Sequence, residues 1–285
     1  MVEAILGATG EVCRSSEVRG LHPRVTSALE KVHSREYLAT LARPMGEREV
    51  RGLDPDTFVS RASWNVTRLA TSAWLEAVDN RGGFALARPP GHHAKRGSAC
   101  GFGTLNHAAA AARYALDEDK FDRVGVLDID VHFGNGCASI LGGDEALRGR
   151  ARYVSIHQDQ AFPYTGGKGN EPKFGSSEIL KFVPLAPGTE GEDWLRALED
   201  EALPFLAALD PQLLIVCAGF DALATDTLAH LDLTPEDFYL GARAIRRVFP
   251  PHQEVPIVSG LEGGYDTLNL PIAIASYLKG LACCI

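Results

Sequence analysis

The stretch of the chain richest in chemistry is Leu127-Asp128-Ile129-Asp130-Val131-His132-Phe133-Gly134-Asn135-Gly136. On an extended backbone, Leu127, Ile129 and Val131 face one side, and Asp128, Asp130 and His132 face the other. Three polar groups on one face at the end of an apolar strand are costly to bury without a cation or polar partners. Asp and His two residues apart offer an oxygen and a nitrogen to one divalent ion such as zinc. The plainer alternative is a polar stripe on a solvent-facing edge strand. The apolar run that leads into the segment favours a central strand instead.

Other segments carry similar groups. Arg88-Pro89-Pro90-Gly91-His92-His93-Ala94 sets adjacent histidines in a stretch stiffened by two prolines. Imidazole titrates near neutral pH, so the pair suits general acid–base work, although adjacent histidines by themselves are more often a surface feature. In Ala218-Gly219-Phe220-Asp221-Ala222, directly after an apolar run, Asp221 reads as a further metal ligand or as a helix N-cap. Leu261-Glu262-Gly263-Gly264-Tyr265 also follows an apolar run. Its glycines permit close backbone approach and its tyrosine can donate to a developing oxyanion, unless the segment is a plain turn. Gly101-Phe102-Gly103, ahead of a helical pattern, is weak on its own.

Positioning these groups falls to an alternation of strands and helices. Residues 124–129, 153–156, 213–218 and 255–258 are short apolar runs of the kind buried in parallel sheets. Helical patterns occupy 105–115, 193–209, 235–248 and 271–281, and Thr234-Pro235-Glu236-Asp237 is a capped helix start with Pro at the first helical position. The expected fold class is α/β, a three-layer α/β/α arrangement with a mainly parallel central sheet. In such sheets ligands bind beyond the carboxyl ends of the strands, which is where the polar clusters fall. Nearer the start, 29–41 reads as helix, 44–55 as a charged loop and 61–78 as a long amphipathic helix with two tryptophans. No repeat or linker divides the chain, so a single domain over 1–285 is expected.

Composition narrows the function classes. With 285 residues, 45% hydrophobic and 23% charged, the chain is globular, not disordered. Lys+Arg 28 against Asp+Glu 37 gives a net charge of -9, poorly matched to nucleic-acid phosphates and better matched to neutral or cationic substrates. No run approaches the roughly 18 apolar residues that cross a bilayer, and Met1-Val2-Glu3-Ala4-Ile5-Leu6 lacks the basic start of a signal peptide. Cys13, Cys100, Cys137, Cys217, Cys283 and Cys284 form no C-x-x-C, and the last two are too close for a normal bridge. Neither a disulfide scaffold nor a structural zinc knot is expected, and the setting read from this is reducing and intracellular, cytoplasmic by default. There is no G-x-S-x-G, no G-x-x-x-x-G-K-[ST] and no G-x-G-x-x-G after a strand, which counts against serine acyl transfer, nucleotide hydrolysis and Rossmann-type hydride transfer.

Taken in order, R-P-P-G-H-H, D-x-D-x-H-x-G-N-G, A-G-F-D-A and L-E-G-G-Y resemble the zinc-dependent histone deacetylase family, including its bacterial acetylpolyamine amidohydrolase relatives. The resemblance runs from Val32-His33-Ser34-Arg35-Glu36-Tyr37-Leu38 to the C-terminus, and Asn135 and Glu262 look more like the class II-type and bacterial members. It implies an arginase/deacetylase-like fold and a zinc ion held by Asp130, His132 and Asp221. It implies that His92 and His93 are the tandem histidines, with Asp128 behind His92 and Asn135 behind His93. Tyr265 would polarise the substrate carbonyl, Phe102 and Phe162 would flank a narrow acyl channel, and the Gly101 carbonyl would lie near the scissile amide. Gly263 and Gly264 would complete the substrate-binding surface. Asp128, Asp130, His132, Ser155 and Ile156 match the family's potassium site, mostly through backbone oxygens.

The implied activity is removal of acetyl or another short acyl group from an amine by metal-activated water, with His93 taking the water's proton and Tyr265 stabilising the oxyanion. The implied partner is an acylated lysine, polyamine or other small amine, with no direct nucleic-acid binding and no membrane association. The chain departs from the family pattern in two places. Where members usually carry a first strand and an H-P-E-x-P-x-R rim loop, it has Leu21-His22-Pro23-Arg24, so that strand and loop are expected to be shortened. Gly103 and Ala161-Phe162-Pro163-Tyr164-Thr165-Gly166 change the channel wall. Two other readings compete. An arginase-like ureohydrolase with two manganese ions needs D-x-H-x-D, the reverse of the pattern at 128–132, and a non-catalytic acyl-amine binding module has no need of the ligands and tyrosine retained here.

Overall fold

Strands that are buried on both faces need no alternation of polar and apolar residues, and two such segments, β4 (Val124–Asp128) and β7 (Leu213–Ala218), lie side by side in the middle of the protein. The computed structural model describes residues 1–10, 13–118, 120–250 and 255–282; Cys283 and Cys284 lie outside the described residues. Before β4 come α1 (Val2–Thr9), α2 (Val25–Val32), α3 (Arg35–Ala42), a hairpin of β1 (Val50–Gly52) and β2 (Phe58–Ser60), α4 (Ser63–Asp79), β3 (Gly83–Ala85) and α5 (His107–Asp117). Between β4 and β7 lie α6 (Asn135–Gly142), β5 (Ala151–Gln158), β6 (Leu180–Leu185), α7 (Gly191–Ala197) and α8 (Leu203–Ala207); α9 (Pro235–Val248), β8 (Ile257–Leu261) and α10 (Leu270–Ala282) follow β7.

Six strands form one sheet in the order β3-β8-β7-β4-β5-β6, every neighbouring pair parallel. Alternate residues of each strand feed separate cores. Val124, Val126, Leu213, Ile215 and Cys217 pack with α2, α4, α5 and α6 on one face, while Leu127, Leu214, Val216 and Ala218 pack with α7 to α10 and with Ile5 of α1 on the other. This is the three-layer α/β/α arrangement expected. The chain runs outward from β4 through β5 and β6, then returns to β7 on the opposite side of β4. Such a reversal opens a crevice at the carboxyl ends of the two central strands.

Several boundaries differ from the sequence reading, each for a local reason. The helix expected over 29–41 is broken at His33 and Ser34, because Ser34 is extended and its hydroxyl accepts the Tyr37 N–H to cap α3. The helix expected over 193–209 runs as α7, a π-helical turn at Leu198–Ala202, and α8, whose Pro204 has no N–H to donate. Residues 44–55 include the short strand β1. His22 and Arg24 are engaged away from the polar clusters, with Asp79 and Glu118 respectively. Cys13, Cys100, Cys137 and Cys217 are free thiols. Among the described residues, no helix is long and apolar enough to cross a membrane.

Candidate active site

β4 ends at Asp128, earlier than the extended reading of 127–132 supposes, and the chain bends beyond it. Side-chain carboxylates hold the bend: Asp130 N–H donates to Asp128 Oδ1 (3.2 Å), His132 N–H to Asp130 Oδ1 (2.9 Å) and Val131 N–H to Asp221 Oδ1 (3.0 Å). The division of faces survives. Leu127, Ile129 and Val131 enter the apolar core, and Asp128, Asp130 and His132 are buried among polar groups.

Asp221 follows β7, and the geometry makes it a neighbour of this bend, not a helix cap. His132 Nδ1 lies 3.2 Å from Asp130 Oδ1 and 3.1 Å from Asp221 Oδ2. One donor atom from each of Asp130, His132 and Asp221 falls within 4.8 Å of the others, and all three residues are buried. Glycine makes the approach possible. A Cβ at Gly263 would stand 2.0 Å from Asp221 Oδ2 and 2.6 Å from Asp130 Oδ2, and the Gly263 N–H instead donates to Asp130 Oδ2 at 2.7 Å.

The charge balance of this cluster tests whether a metal suits it. Burial raises the Asp221 carboxyl to about 6, with repulsion from Asp130 adding to the effect. Burial would lower His132, but Asp130 and Asp221 prevail and hold it at about 10. Two convergent buried carboxylates thus favour positive charge beside them, and without an ion protons on His132 and on the neighbouring His92 supply it. Two oxygens and one nitrogen that leave further coordination positions open are a donor set that suits zinc. Among the described residues, no other group of three His, Cys, Asp or Glu converges in this way.

The tandem histidines sit beside the cluster, their rings 4.0 Å apart. His92 Nδ1 donates to Asp128 Oδ2 (3.0 Å), and the Tyr153 hydroxyl donates to the same oxygen (2.7 Å). His93 Nδ1 donates to Asn135 Oδ1 (2.8 Å). Their environments push them apart. Burial disfavours the cation at both, yet Asp130 and Asp128 raise His92 well above the usual imidazole range, while His92 and His132 help to keep His93 well below it. The surroundings thus favour the cation at His92 and the neutral ring at His93.

Aromatic groups enclose the approach. Phe162 lies edge-on to His93, with ring centroids 5.0 Å apart, and 6.3 Å from His132. Phe102, partly exposed, meets the Tyr265 ring at 5.9 Å. Gly101 adopts φ 52, and a Cβ there would lie 2.4 Å from His93 Cδ2 and 2.8 Å from Phe162 Cε1. Gly264 adopts φ 130, where a Cβ would stand 2.7 Å from Leu270 Cδ1, and its carbonyl accepts from Arg88 at 3.3 Å. Burial, with Asp221 and Asp130 nearby, keeps the Tyr265 phenol strongly protonated. Ser155 is the register partner of Asp128, Ile156 follows it in β5, and the Ser155 hydroxyl contacts His157 Nδ1 at 2.9 Å.

Sequence reasoning missed four residues that hold these groups. Tyr153 braces Asp128 from the adjacent strand. Glu262 Oε2 accepts the N–H groups of Gly91 (2.6 Å) and His92 (3.1 Å), while its Oε1 is buried without a partner. His107 bridges Thr71 and the Pro89 carbonyl, and Asn106 donates to the Ala94 carbonyl while capping α5. Glu262 lies inside the L-E-G-G-Y motif without a role assigned to it, and the others have no local signature beyond polar Asn106 and His107 shortly after Gly101-Phe102-Gly103.

Known proteins resemble this chain along most of its length. Residues 2–281 match the model of the histone deacetylase domain. An uncharacterized protein of Synechocystis sp. is 40% identical over 256 residues, 88% of this chain and 80% of that protein. The histone deacetylase-like amidohydrolase of Pseudomonas aeruginosa is 30% identical over 292 residues, 98% of this chain and 75% of that protein. Among solved structures, the HDA15 HD domain aligns with a TM-score of 0.86 at 26% identity, covering 99% of this chain and 81% of that one.

Proposed function

The chain belongs to the histone deacetylase family, and from that premise we propose that it is a zinc-dependent amidohydrolase of a single catalytic domain, removing acetyl or a short acyl group from an amine. The observation that carries the reading is the convergence of His132 Nδ1 on Asp130 and Asp221, 3.2 and 3.1 Å away, beside two histidines of opposite charge preference. Asp130, His132 and Asp221 would hold the zinc ion, which when bound would supply Lewis acidity to polarise an amide carbonyl and acidify a water.

The remaining steps belong to the protein's own groups. Asn135 holds the His93 Nδ1 proton, so Nε2 carries the lone pair and takes a proton from the attacking water. His92, fixed by Asp128 and drawn toward its cationic form by the neighbouring carboxylates, lies beside the centre where negative charge develops. The protonated Tyr265 hydroxyl donates to the amide oxygen as its carbon becomes tetrahedral, and the proton on His93 then passes to the departing amine nitrogen. Gly101, whose lack of a Cβ lets His93 and Phe162 approach, lies with Phe102 and Phe162 along the acyl channel, and Gly263 and Gly264 lead to Tyr265. Asp128, Asp130, His132, Ser155 and Ile156 would hold the accompanying potassium ion.

The substrate class includes acetyl-lysine in proteins and acetylated polyamines or other small amines; the negative net charge of -9 suits a cationic amine better than a nucleic acid. Turnover of acetyl-lysine peptides, acylated polyamines and other N-acetylated amines, compared with and without a chelator, tests the reading. Chelator-sensitive hydrolysis of at least one class is expected. Chelator-insensitive turnover, or two transition-metal ions per chain, would overturn it in favour of another mechanism.

A further inference from the structure

Tyr265 sits on a segment with almost no regular structure, yet the backbone around it is tied at successive positions. Gly263 N–H donates to Asp130 Oδ2 (2.7 Å) and the Gly263 carbonyl accepts from Phe220 N–H (3.0 Å). The Gly264 carbonyl accepts from Arg88. At Tyr265 itself the tie is one carboxylate oxygen: Asp226 Oδ2 accepts the N–H of Tyr265 at 2.7 Å and that of Asp266 at 3.1 Å. Asp226 Oδ1 accepts the N–H of Leu228 at 3.1 Å. Asp226 is buried, and its carboxylate answers to backbone donors from two different loops.

A carboxylate in that position is costly to bury unless its lone pairs are filled, and backbone N–H groups fill them with charge-assisted bonds. Two successive N–H groups converging on one oxygen fix the direction of the backbone between them, and with it the direction in which the Tyr265 Cα–Cβ bond leaves. The Arg88 guanidinium lies 5.3 Å over the Tyr265 ring and Phe102 meets its edge, but neither contact orients the residue's backbone.

We propose that Asp226 is a positioning residue for Tyr265: its carboxylate, lying between the Tyr265 and Asp266 amides, aims the phenol at the reacting carbonyl. This inference rests on the amidohydrolase reading above. The hydrogen-bond partners of the Asp226 carboxylate are the amides of Tyr265, Asp266 and Leu228, none of them a proposed metal ligand, so its effect on the reaction runs through Tyr265. It makes different demands on each oxygen. Oδ2 carries the anchor and Oδ1 serves Leu228, so an asparagine with its carbonyl oxygen in place of Oδ2 keeps the anchor, and alanine loses it.

The experiment measures kcat and KM for the zinc-loaded full chain on an N-acetylated amine, in Asp226→Ala, Asp226→Asn and Tyr265→Phe and in the double variant. Zinc content and amide exchange at Tyr265 and Asp266 are followed in parallel. Asp226→Ala is expected to lower kcat about thirtyfold with little change in KM, the scale for losing a group that orients a catalytic one. Asp226→Asn should recover kcat to within about fivefold of the parent. In the Tyr265→Phe background, Asp226→Ala should cost less than about threefold more, because its route is already cut. Exchange of the two amides should quicken about tenfold or more in Asp226→Ala. An equal loss in both backgrounds, a loss of zinc, or unchanged exchange overturns the proposal. A parent protein that turns over no acylated amine overturns the amidohydrolase reading instead, and amide exchange still decides whether Asp226 is the anchor.

Discussion

His93 Nδ1 lies 2.8 Å from Asn135 Oδ1, and both groups are buried. An amide oxygen only accepts, so this bond fixes the proton on Nδ1 and leaves Nε2 as the basic nitrogen. Asn135→Ala releases the tautomer, and kcat should fall about tenfold or more. Asn135→Asp puts a negative charge where the amide stood, which favours protonated His93. Because the base works only when neutral, the acid limb of the kcat/KM profile should move to higher pH. A limb that stays in place would show that His93 is not the group titrating there.

The phenol of Tyr265 is held protonated by burial and by the carboxylates Asp221 and Asp130. Those same carboxylates would penalise a phenolate, so the group is built to donate, not to ionise. Tyr265→Phe removes one donor to a developing oxyanion and should lower kcat by about 10²–10³, with the metal retained. Steady-state kinetics beside metal analysis checks both parts.

Much of this site was legible in the sequence because its residues are local signals. Leu213–Ala218 is an unbroken apolar run whose pattern marks its observed bounds, as does the helical pattern of Pro235–Val248 behind its Thr234 cap. Asp128, Asp130 and His132 announce themselves by alternation, even though the strand stops at Asp128. What escaped depends on pairing between distant segments. β6 was unread because it mixes Lys181 and Pro184 into its run, which an edge position tolerates and a central one does not. β3 has only three residues. Tyr153 reaches Asp128 only through the register of β5 on β4, and Asp226 reaches Tyr265 across 39 residues of chain. No local pattern encodes those distances.

The convergence of His132 on Asp130 and Asp221 predicts a stability effect separate from catalysis. An ion that binds only the folded chain stabilises it, by about 2.7 kcal/mol at a hundredfold excess over Kd. Chelated protein should therefore melt at a lower temperature than zinc-loaded protein. In Asp221→Asn, which removes one charge from the proposed ligand set, added zinc should raise the melting temperature much less. A thermal melt of both proteins with and without zinc reads this directly. An equal rise in the two would remove Asp221 from the ligand set.

Glu262 ties the segment bearing His92 to the segment bearing Tyr265, and burial raises its carboxyl to about 7, with His92 and the Gly91 amide acting in the opposite direction. A carboxyl raised in the folded chain prefers its neutral form there. Its stabilising contribution is complete below the ordinary value near 4.5 and is lost as pH climbs through 7. The window is therefore about pH 4.5 to 7, and the change is on the order of 3 kcal/mol at 1.36 kcal/mol per unit. Glu262→Gln cannot titrate, and its amide oxygen can still accept from Gly91 and His92. Relative to the parent, metal-free Glu262→Gln should gain stability between pH 5 and pH 8, whatever its offset at pH 5. Urea midpoints of the two chelated proteins at both pH values decide the matter, since parallel changes would mean that Glu262 holds the same charge throughout.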